Sequence, residues 1–512
     1  MTVQYNKSRR HHGRRRHSNY KKKGKKPDNY YPQLCKKEMT FDECELAILR
    51  QAVDDNENAN KTKIANSDGV KKMISIVEEF LQKSKCICYG GTAINNILPE
   101  EAQFYDRTLD IPDYDFFSQD PVNHAKELAN IFNENGYSDV EAKAGVHYGT
   151  YKVFVNFIPM ADITLLHPEL YSSIQKEAII MNGIYYTPAN FLRMSMFLEL
   201  SRPEGDVSRW EKVLKRLTLL NQYYPLKVDK CFQVDFQRSM DYSADKANQL
   251  YCTIKDTFIQ QRVVFFGGYA TSLYSRYMPR KLQRIVKSIP DFDVLSVNPE
   301  QCVQVVLKNL HDHGFTNAKS RKFHEIGEVI PTHYEIYIGN DTLAFIYEPI
   351  ACHNYNEIVI QKQTIRVATI DTILSFYLAF LYANVDNFVH FKDRFLCMSQ
   401  YLFQVEQENR LAQKGLLKRF TLKCYGTQPT LETIRAKKTE MFEKLRNKKN
   451  DDPEKEAWFL RYTPGEKNSS TSTKKGTQTP KQSTKPVLKK TRKNTKKNAK
   501  VTRKSKKKDY FF

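Results

Sequence analysis

The chain has 512 residues with 81 Lys/Arg against 58 Asp/Glu, a formal net charge of +23 and 40% apolar residues, enough to core two or three domains. No apolar run approaches the roughly 20 residues that cross a bilayer, and the basic N-terminus has no hydrophobic region behind it, so a soluble, non-secreted protein is expected. The charge sits at the ends: residues 1–26 hold eleven Lys/Arg and no acid, residues 465–512 hold seventeen against two, and the stretch between carries a net −3. Both ends are too poor in apolar residues to offset the entropy of ordering. Residues 1–27 and 451–512 are therefore expected to be disordered basic tails. They suit attraction to RNA phosphates through counterion release and fit solubility or a nuclear-import address about as well. Ten cysteines without a CxxC pair read as reduced thiols in a cytosolic compartment.

Apolar spacing predicts a helix over Gly69 to Lys83, and Cys86 to Tyr89 reads as a short buried strand. Gly90-Gly91 breaks that strand, and Thr92 to Leu98 forms a helical turn or two that stops before Pro99. Asp113 and Asp115 lie two apart in an extended run ending at Phe117, which points both carboxylates to one face. A helix over Asn123 to Asn135 is closed by Gly136, and Tyr151 to Thr164 alternates as one further strand. Thr187-Pro188 opens a helix to about Ser201 with Pro at its first position. Ser208 and Glu211 have capping-box spacing for another, to about Leu220. Along it Arg209, Lys212 and Arg216 share one side, a basic face that either borders a nucleotide pocket or is simply solvated.

The same order then returns. A helix over Ala244 to Gln260, a strand over Val263 to Phe266, Gly267-Gly268-Tyr269, an Asp291-Phe292-Asp293 strand and a helix to His313 repeat the first half. Gly91 to Asp113 spans 22 residues and Gly268 to Asp291 spans 23, while Asp115 to Gly136 and Asp293 to Gly314 both span 21. Two copies of one folding unit account for that agreement. From Gly314 to Cys352 the second copy is longer by twelve residues, 38 against 26, which an extra hairpin within Ile326 to Tyr337 would absorb. Apolar helices follow from Ile370 to about Val405, and Thr430 to Asn450 reads as a charged helix. The domains expected are 28–225 and 226–450, each α/β in the α+β sense, with mixed sheets and flanking helices.

The first unit reads as a device for a nucleoside triphosphate with metal ions. Two divalent ions about 3.5–4 Å apart neutralise a reacting phosphate in two-metal sites, and oxygen ligands suit Mg2+. Asp113 and Asp115, one strand step apart, bridge such a pair; Asp162, following the alternating run Val153 to Ile158, is the third carboxylate. Glycines at 90 and 91 let backbone approach phosphate oxygens, N–H groups at the helix start offer an anion site, and Thr92 adds a hydroxyl donor. Gly-Gly alone is more often a turn and Asp-x-Asp alone a surface feature; their ordered combination with a third Asp is far more specific. In the second unit, matching Pro159 to Pro349 places Cys352 where Asp162 stands, and Tyr269 replaces Thr92, so that unit is expected to be structural or RNA-binding, with residual nucleotide binding the alternative.

These motifs resemble the DNA polymerase β-type nucleotidyltransferase superfamily. Tyr89-Gly90-Gly91-Thr92-Ala93-Ile94-Asn95, Leu109 through Phe117, Leu200-Ser201-Arg202-Pro203 and Ser208 through Lys212 are similar, more closely, to the poly(A) polymerase catalytic subunits of poxviruses and other large cytoplasmic DNA viruses, particularly the giant-virus, mimivirus-like branch. The resemblance covers roughly residues 30–450. It implies a catalytic nucleotidyltransferase unit followed by a degenerate one, adding AMP from ATP to an mRNA 3′ end without a template. Asp113, Asp115 and Asp162 would hold Mg2+ or Mn2+. Gly90, Gly91 and Thr92 would cradle the triphosphate, and Lys152, Arg202, Arg209 and Lys212 are secondary candidates for phosphate or RNA, with ordinary surface charge the competing reading. It further implies a virion and host-cytoplasmic (viral factory) location and leaves a homodimer or separate processivity partner open. The alternatives are a non-catalytic RNA-binding protein with vestigial units, and a 2′-5′ oligoadenylate or tRNA-end-adding transferase.

Overall fold

Ser67 starts the first well-packed helix because its hydroxyl accepts from the Val70 N–H, and Lys85, in the left-handed region at φ 54°, ends it. The computed structural model describes residues 34–465 apart from 36–37, 66, 106–110, 229–230, 232–241, 287–291, 384–390 and 410, with side chains also set aside at 58, 60–65 and 284–285. Both basic tails lie largely outside the described residues, as does Asp291.

The first unit runs α1 (Phe41–Ala65), α2 (Asp68–Ser84), β1 (Ile87–Cys88), α3 (Gly90–Ile97), β2 (Tyr114–Ser118), α4 (Pro121–Glu134), β3 (Val140–Ala144), β4 (Thr150–Val155), β5 (Ile158–Leu165), α5 (Pro168–Lys176), β6 (Ile179–Met181), β7 (Ile184–Tyr186), α6 (Ala189–Leu200) and α7 (Trp210–Tyr223). The second runs α8 (Ala244–Gln260), β8 (Val264–Phe265), α9 (Gly268–Tyr274), α10 (Arg280–Val286), β9 (Phe292–Leu295), α11 (Pro299–Asp312), β10 (Lys319–Phe323), β11 (His333–Ile338), β12 (Asp341–Tyr347), β13 (His353–Ile360), β14 (Gln363–Ala368) and α12 (Ile370–Phe380). Helices Lys392–Asn409, Leu431–Leu445 and Pro453–Phe459 follow, with two short strands, β15 (Cys424–Tyr425) and β16 (Arg461–Tyr462).

The duplication is written into the sheets. One has the strand order β16-β3-β4-β5-β2-β1-β7-β6 and the other β10-β11-β12-β9-β8-β14-β13-β15, so seven strands occupy the same places in both and each sheet gains one short extra edge strand. Both sheets are mixed: β1 runs antiparallel to β2 and parallel to β7, while β2 runs parallel to β5. The α/β class expected from sequence is the one found. The corresponding helices α6 and α12 pack on one another, and the core runs continuously across both halves through Phe197, Phe265, Phe376 and Leu402.

Four expectations need correction. Tyr151 to Thr164 is not one strand but the hairpin β4–β5, because Asn156 and Phe157 take left-handed φ values of 50° and 67° and turn the chain. The capping box at Ser208 does not form; Asp206, two residues earlier, accepts from the Ser208 N–H and starts a tight turn that feeds α7, while Glu211 turns to Lys215 at 2.7 Å. A tail beginning at 451 is too long, since Asp452 caps the helix Pro453–Phe459 and β16 returns to pair with β3. Reduced thiols throughout are also not what is seen: Cys35–Cys44, Cys231–Cys397 and Cys352–Cys424 are bonded pairs, with Cα separations of 5.1, 5.4 and 5.1 Å that suit a disulfide.

A fifth correction concerns the match between the units. Asp115 pairs across the sheet with Asp162, and Asp293 pairs with Phe345, so the counterpart of Asp162 is Phe345 and not Cys352. Measured to that position the second copy is five residues longer (Gly314 to Phe345 against Gly136 to Asp162). The added length sits mainly in the β10–β11 connection, where Ile326 bridges Ile330, and not in an extra sheet hairpin. The second unit still has no third carboxylate at this position, where Phe345 is a buried core side chain.

Candidate active site on the first sheet

The site is a row of side chains across three neighbouring strands. Register places Lys152 of β4 opposite Asp162 of β5, and Asp162 opposite Asp115 of β2. Partners in register share a face of the sheet, and Asp113 lies just ahead of β2, close enough for its charge to act on Asp115. The Tyr89 N–H donates to the Asp115 carbonyl at 2.9 Å, and the Thr92 hydroxyl donates to the Asp113 carbonyl at 2.7 Å. The backbone on either side of the carboxylates is thus pinned to the start of α3. Thr92 is buried, and its hydroxyl proton is given to the Asp113 carbonyl.

The glycine doublet divides into two roles. Gly90 has φ +73°, and a Cβ built there would stand 2.5 Å from Asp115 Oδ2, so both backbone conformation and space require glycine. A Cβ on Gly91 would instead meet Tyr105 Oη at 2.5 Å and the two terminal nitrogens of Arg216 at 2.8 and 2.9 Å. The second unit keeps half of this, since Gly267 lies directly beneath the Asp293 carboxylate.

Electrostatics set the acids apart. Loss of hydration, then the neighbouring Asp113 and Asp162 carboxylates, push Asp115 up to about 7 against the opposition of Lys152 and Arg209. Asp113 is raised by the same desolvation and by Asp162, with Lys152 opposing. Lys152 is ion-paired to Asp162 through Oδ2, which leaves Asp162 Oδ1 buried without a partner. Among the described residues only Glu204, Cys352 and Cys424 bring three ligand atoms within 4.8 Å of one another, and there the two sulfurs are already bonded to each other. The acid trio stands more open than that. Asp113 and Asp115, with raised affinity for protons, together with the orphaned buried oxygen of Asp162, form a donor set that fits hard divalent cations.

Of the remaining candidates, Arg209 pairs with Glu199 at 3.1 Å and its charge reaches Asp115. Arg202 is half-buried, its guanidinium pushed down to about 10 by loss of hydration while Glu199 of the first unit and Glu328 of the second oppose, which places it between the units and not in the acid row. Lys212 is exposed on α7. Sequence reasoning did not single out Tyr105 or Asn95 as site residues and left Arg216 as one of a face. The buried Asn95 holds Tyr105 by accepting from the Phe104 and Tyr105 N–H groups at 2.8 and 2.9 Å. Asn95 closing the Gly-Gly-Thr motif was the one available signal.

Residues 75–206, which carry the glycine doublet and all three acids, match the family model described as poly(A) polymerase catalytic subunit. The resemblance read from the sequence is borne out. Two viral proteins named for a poly(A) polymerase catalytic subunit are similar: one of African swine fever virus (strain Badajoz 1971 Vero-adapted), 28% identical over 211 residues, covering 39% of this chain and 44% of that protein; and one of Acanthamoeba polyphaga mimivirus, 30% identical over 261 residues, covering 46% and 43%. The alignments thus span less than half the length of these relatives. The crystal structure of the Megavirus polyadenylate synthase is similar in fold, with a TM-score of 0.68 over 85% of this chain and 88% of that one at 20% identity. That likeness extends across both units, well beyond the stretch the family model matches.

Proposed function

We propose that the chain is a template-independent polynucleotide adenylyltransferase that adds AMP from ATP to the 3′ end of mRNA. One observation carries this reading: Asp115 and Asp162 share one sheet face beside Gly90, with Asp113 just ahead of the same strand, inside the stretch that matches the poly(A) polymerase catalytic subunit family.

In this reading the RNA 3′-hydroxyl attacks the α-phosphorus of ATP in line, and pyrophosphate leaves. Asp113, Asp115 and Asp162 would hold two Mg2+ or Mn2+ ions, which would supply charge neutralisation at the α-phosphate and a more acidic 3′-hydroxyl. The chain's own part is placement. The Thr92 hydroxyl and the Tyr89 N–H fix the strand that bears Asp113 and Asp115, Gly90 leaves the backbone open beside Asp115, and Lys152 keeps Asp162 turned toward the row. The second unit, with Phe345 in the place of an acid, serves as scaffold or RNA-binding surface. RNA, ATP, a virion and host-cytoplasmic location, and a homodimer or separate processivity partner belong to the same proposal. No helix among the described residues is long and apolar enough to cross a membrane.

Incubation with a short RNA, Mg2+ and each nucleoside triphosphate separately tests it on a sequencing gel. ATP alone should give a long ladder with 3′-5′ linkages. The Asp113→Ala, Asp115→Ala double variant should bind RNA and extend nothing; an active double variant would end the assignment.

A further inference from the structure

We infer that Arg216 is the cation that receives the nucleotide's outer phosphates at the Gly91 end of the cradle, and that Tyr105 is the positioning residue that aims it. The inference rests on the reading that this face takes a nucleoside triphosphate, and it names a contact that reading leaves open.

The doublet has two unlike neighbours. Beside Gly90 stands a carboxylate, Asp115; over Gly91 stand the Tyr105 phenol and both terminal nitrogens of Arg216. Positive charge therefore meets the backbone one residue along from the acid row. A chain of phosphates laid across the doublet with its α-phosphate at the acids points its outer phosphates toward Arg216. Charge developing on departing pyrophosphate falls on that guanidinium.

Arg216 is held ready for this. Its Nη2 donates to Tyr105 Oη at 2.6 Å, and the guanidinium lies over the rings of Phe104 and Tyr105 at 5.0 and 5.6 Å. Those rings are fixed through their backbone N–H groups by the buried Asn95 on α3. Among the described residues no carboxylate is ion-paired with Arg216, although the charge of Glu199 is felt there; Arg209, just ahead of α7, pairs with Glu199, and Lys215 on α7 pairs with Glu211. A guanidinium has five donors in a planar fork that matches phosphate oxygens, and a single phenol uses one of them. Ring stacking holds the plane while leaving the remaining donors for an anion.

The competing role is a purely structural latch between α7 and the segment ahead of β2. Titration of the full-length chain with ATP, AMP and inorganic tripolyphosphate, with Ca2+ in place of Mg2+ to prevent turnover, separates the two. Arg216→Ala should weaken ATP and tripolyphosphate binding by about 10- to 100-fold, the range expected for losing hydrogen bonds to a charged group, and leave AMP unchanged. Arg216→Gln, which keeps length and a planar amide but not charge, should show the same selective loss. Tyr105→Phe, which keeps the ring and removes the phenol oxygen, should raise KM for ATP several-fold at nearly constant kcat. Ligand-free unfolding temperatures of Arg216→Gln and wild type should agree. Equal tripolyphosphate affinity in wild type and Arg216→Gln would overturn the assignment while leaving the nucleotide reading intact. A wild-type chain that binds neither ATP nor tripolyphosphate would overturn both. Selective loss in a chain that fails to extend RNA would support Arg216 and sink polyadenylation.

Discussion

Asp115 and Asp162 are direct neighbours across a parallel strand pair, 47 residues apart in the chain and opposite one another in the sheet. The pairing leaves two carboxylates facing the same side, with Asp113 beside them, and the metal-free folded chain carries that repulsion whenever all three are ionised.

The first consequence is a pH dependence of stability. Asp115 titrates at about 7 when folded against an ordinary value of 3.8, so between those values the folded chain keeps a proton that the unfolded chain has released. Stability from this group is greatest at the acid end of the window and falls as pH rises toward 7. Metal-free thermal unfolding followed from pH 5 to pH 8 should show the decline, and Asp115→Asn should flatten it and unfold at a higher temperature than wild type at pH 8. Parallel curves for the two proteins would refute the repulsion argument.

The two glycines should respond differently to one methyl group. Gly90→Ala meets both a left-handed φ and the Asp115 carboxylate, so it should destabilise the chain by about 1–3 kcal/mol and disable nucleotidyl transfer. Gly91→Ala meets only the far ends of the Tyr105 and Arg216 side chains, which can be pushed aside without moving backbone; it should leave the urea midpoint nearly unchanged while disturbing the aim of Arg216 and raising KM for ATP. Equal loss of stability in both would show that the doublet acts as one turn.

Phe345 marks where a second site would need its third acid. It is 5% exposed and packs against Tyr347 and His333. Phe345→Asp should therefore cost about 3–5 kcal/mol through the lost ring and a buried charge, and should not restore extension to an Asp162→Asn chain. Rescue by that pair would mean that the second unit is a dormant active site.

Beneath the second sheet Arg419 holds the fully buried Asp371 through bonds of 2.7–3.0 Å and Glu406 at 2.8 Å. Burial raises Glu406 while Arg419 opposes it. Arg419→Met strands both acids and should destabilise by about 3–5 kcal/mol, whereas adding Asp371→Asn and Glu406→Gln should recover part of that loss. Chemical denaturation of the single and triple variants checks the order.

Much of this was legible in the residues themselves. Apolar spacing marked α2, the glycine doublet marked the start of α3, and Asp113-x-Asp115 with its repeat marked the duplication. Each of these is a property of residues close together in the chain, where backbone preference and period leave a local trace. Asp162 was found because it follows an alternating run, although the hairpin turn at Asn156 and Phe157 within that run was not.

What tertiary structure alone decided is everything set by partners distant in sequence. The register that opposes Phe345 to Asp293, the return of β16 to β3, the meeting of Arg216 with Tyr105 over Gly91, and the pairing of Cys231 with Cys397 each join segments that share no local signal. Period and propensity act through near neighbours, whereas these contacts are chosen by how whole sheets and helices fill one core. The sequence by itself therefore determined which side chains were available for chemistry, and the packed fold determined which of them meet.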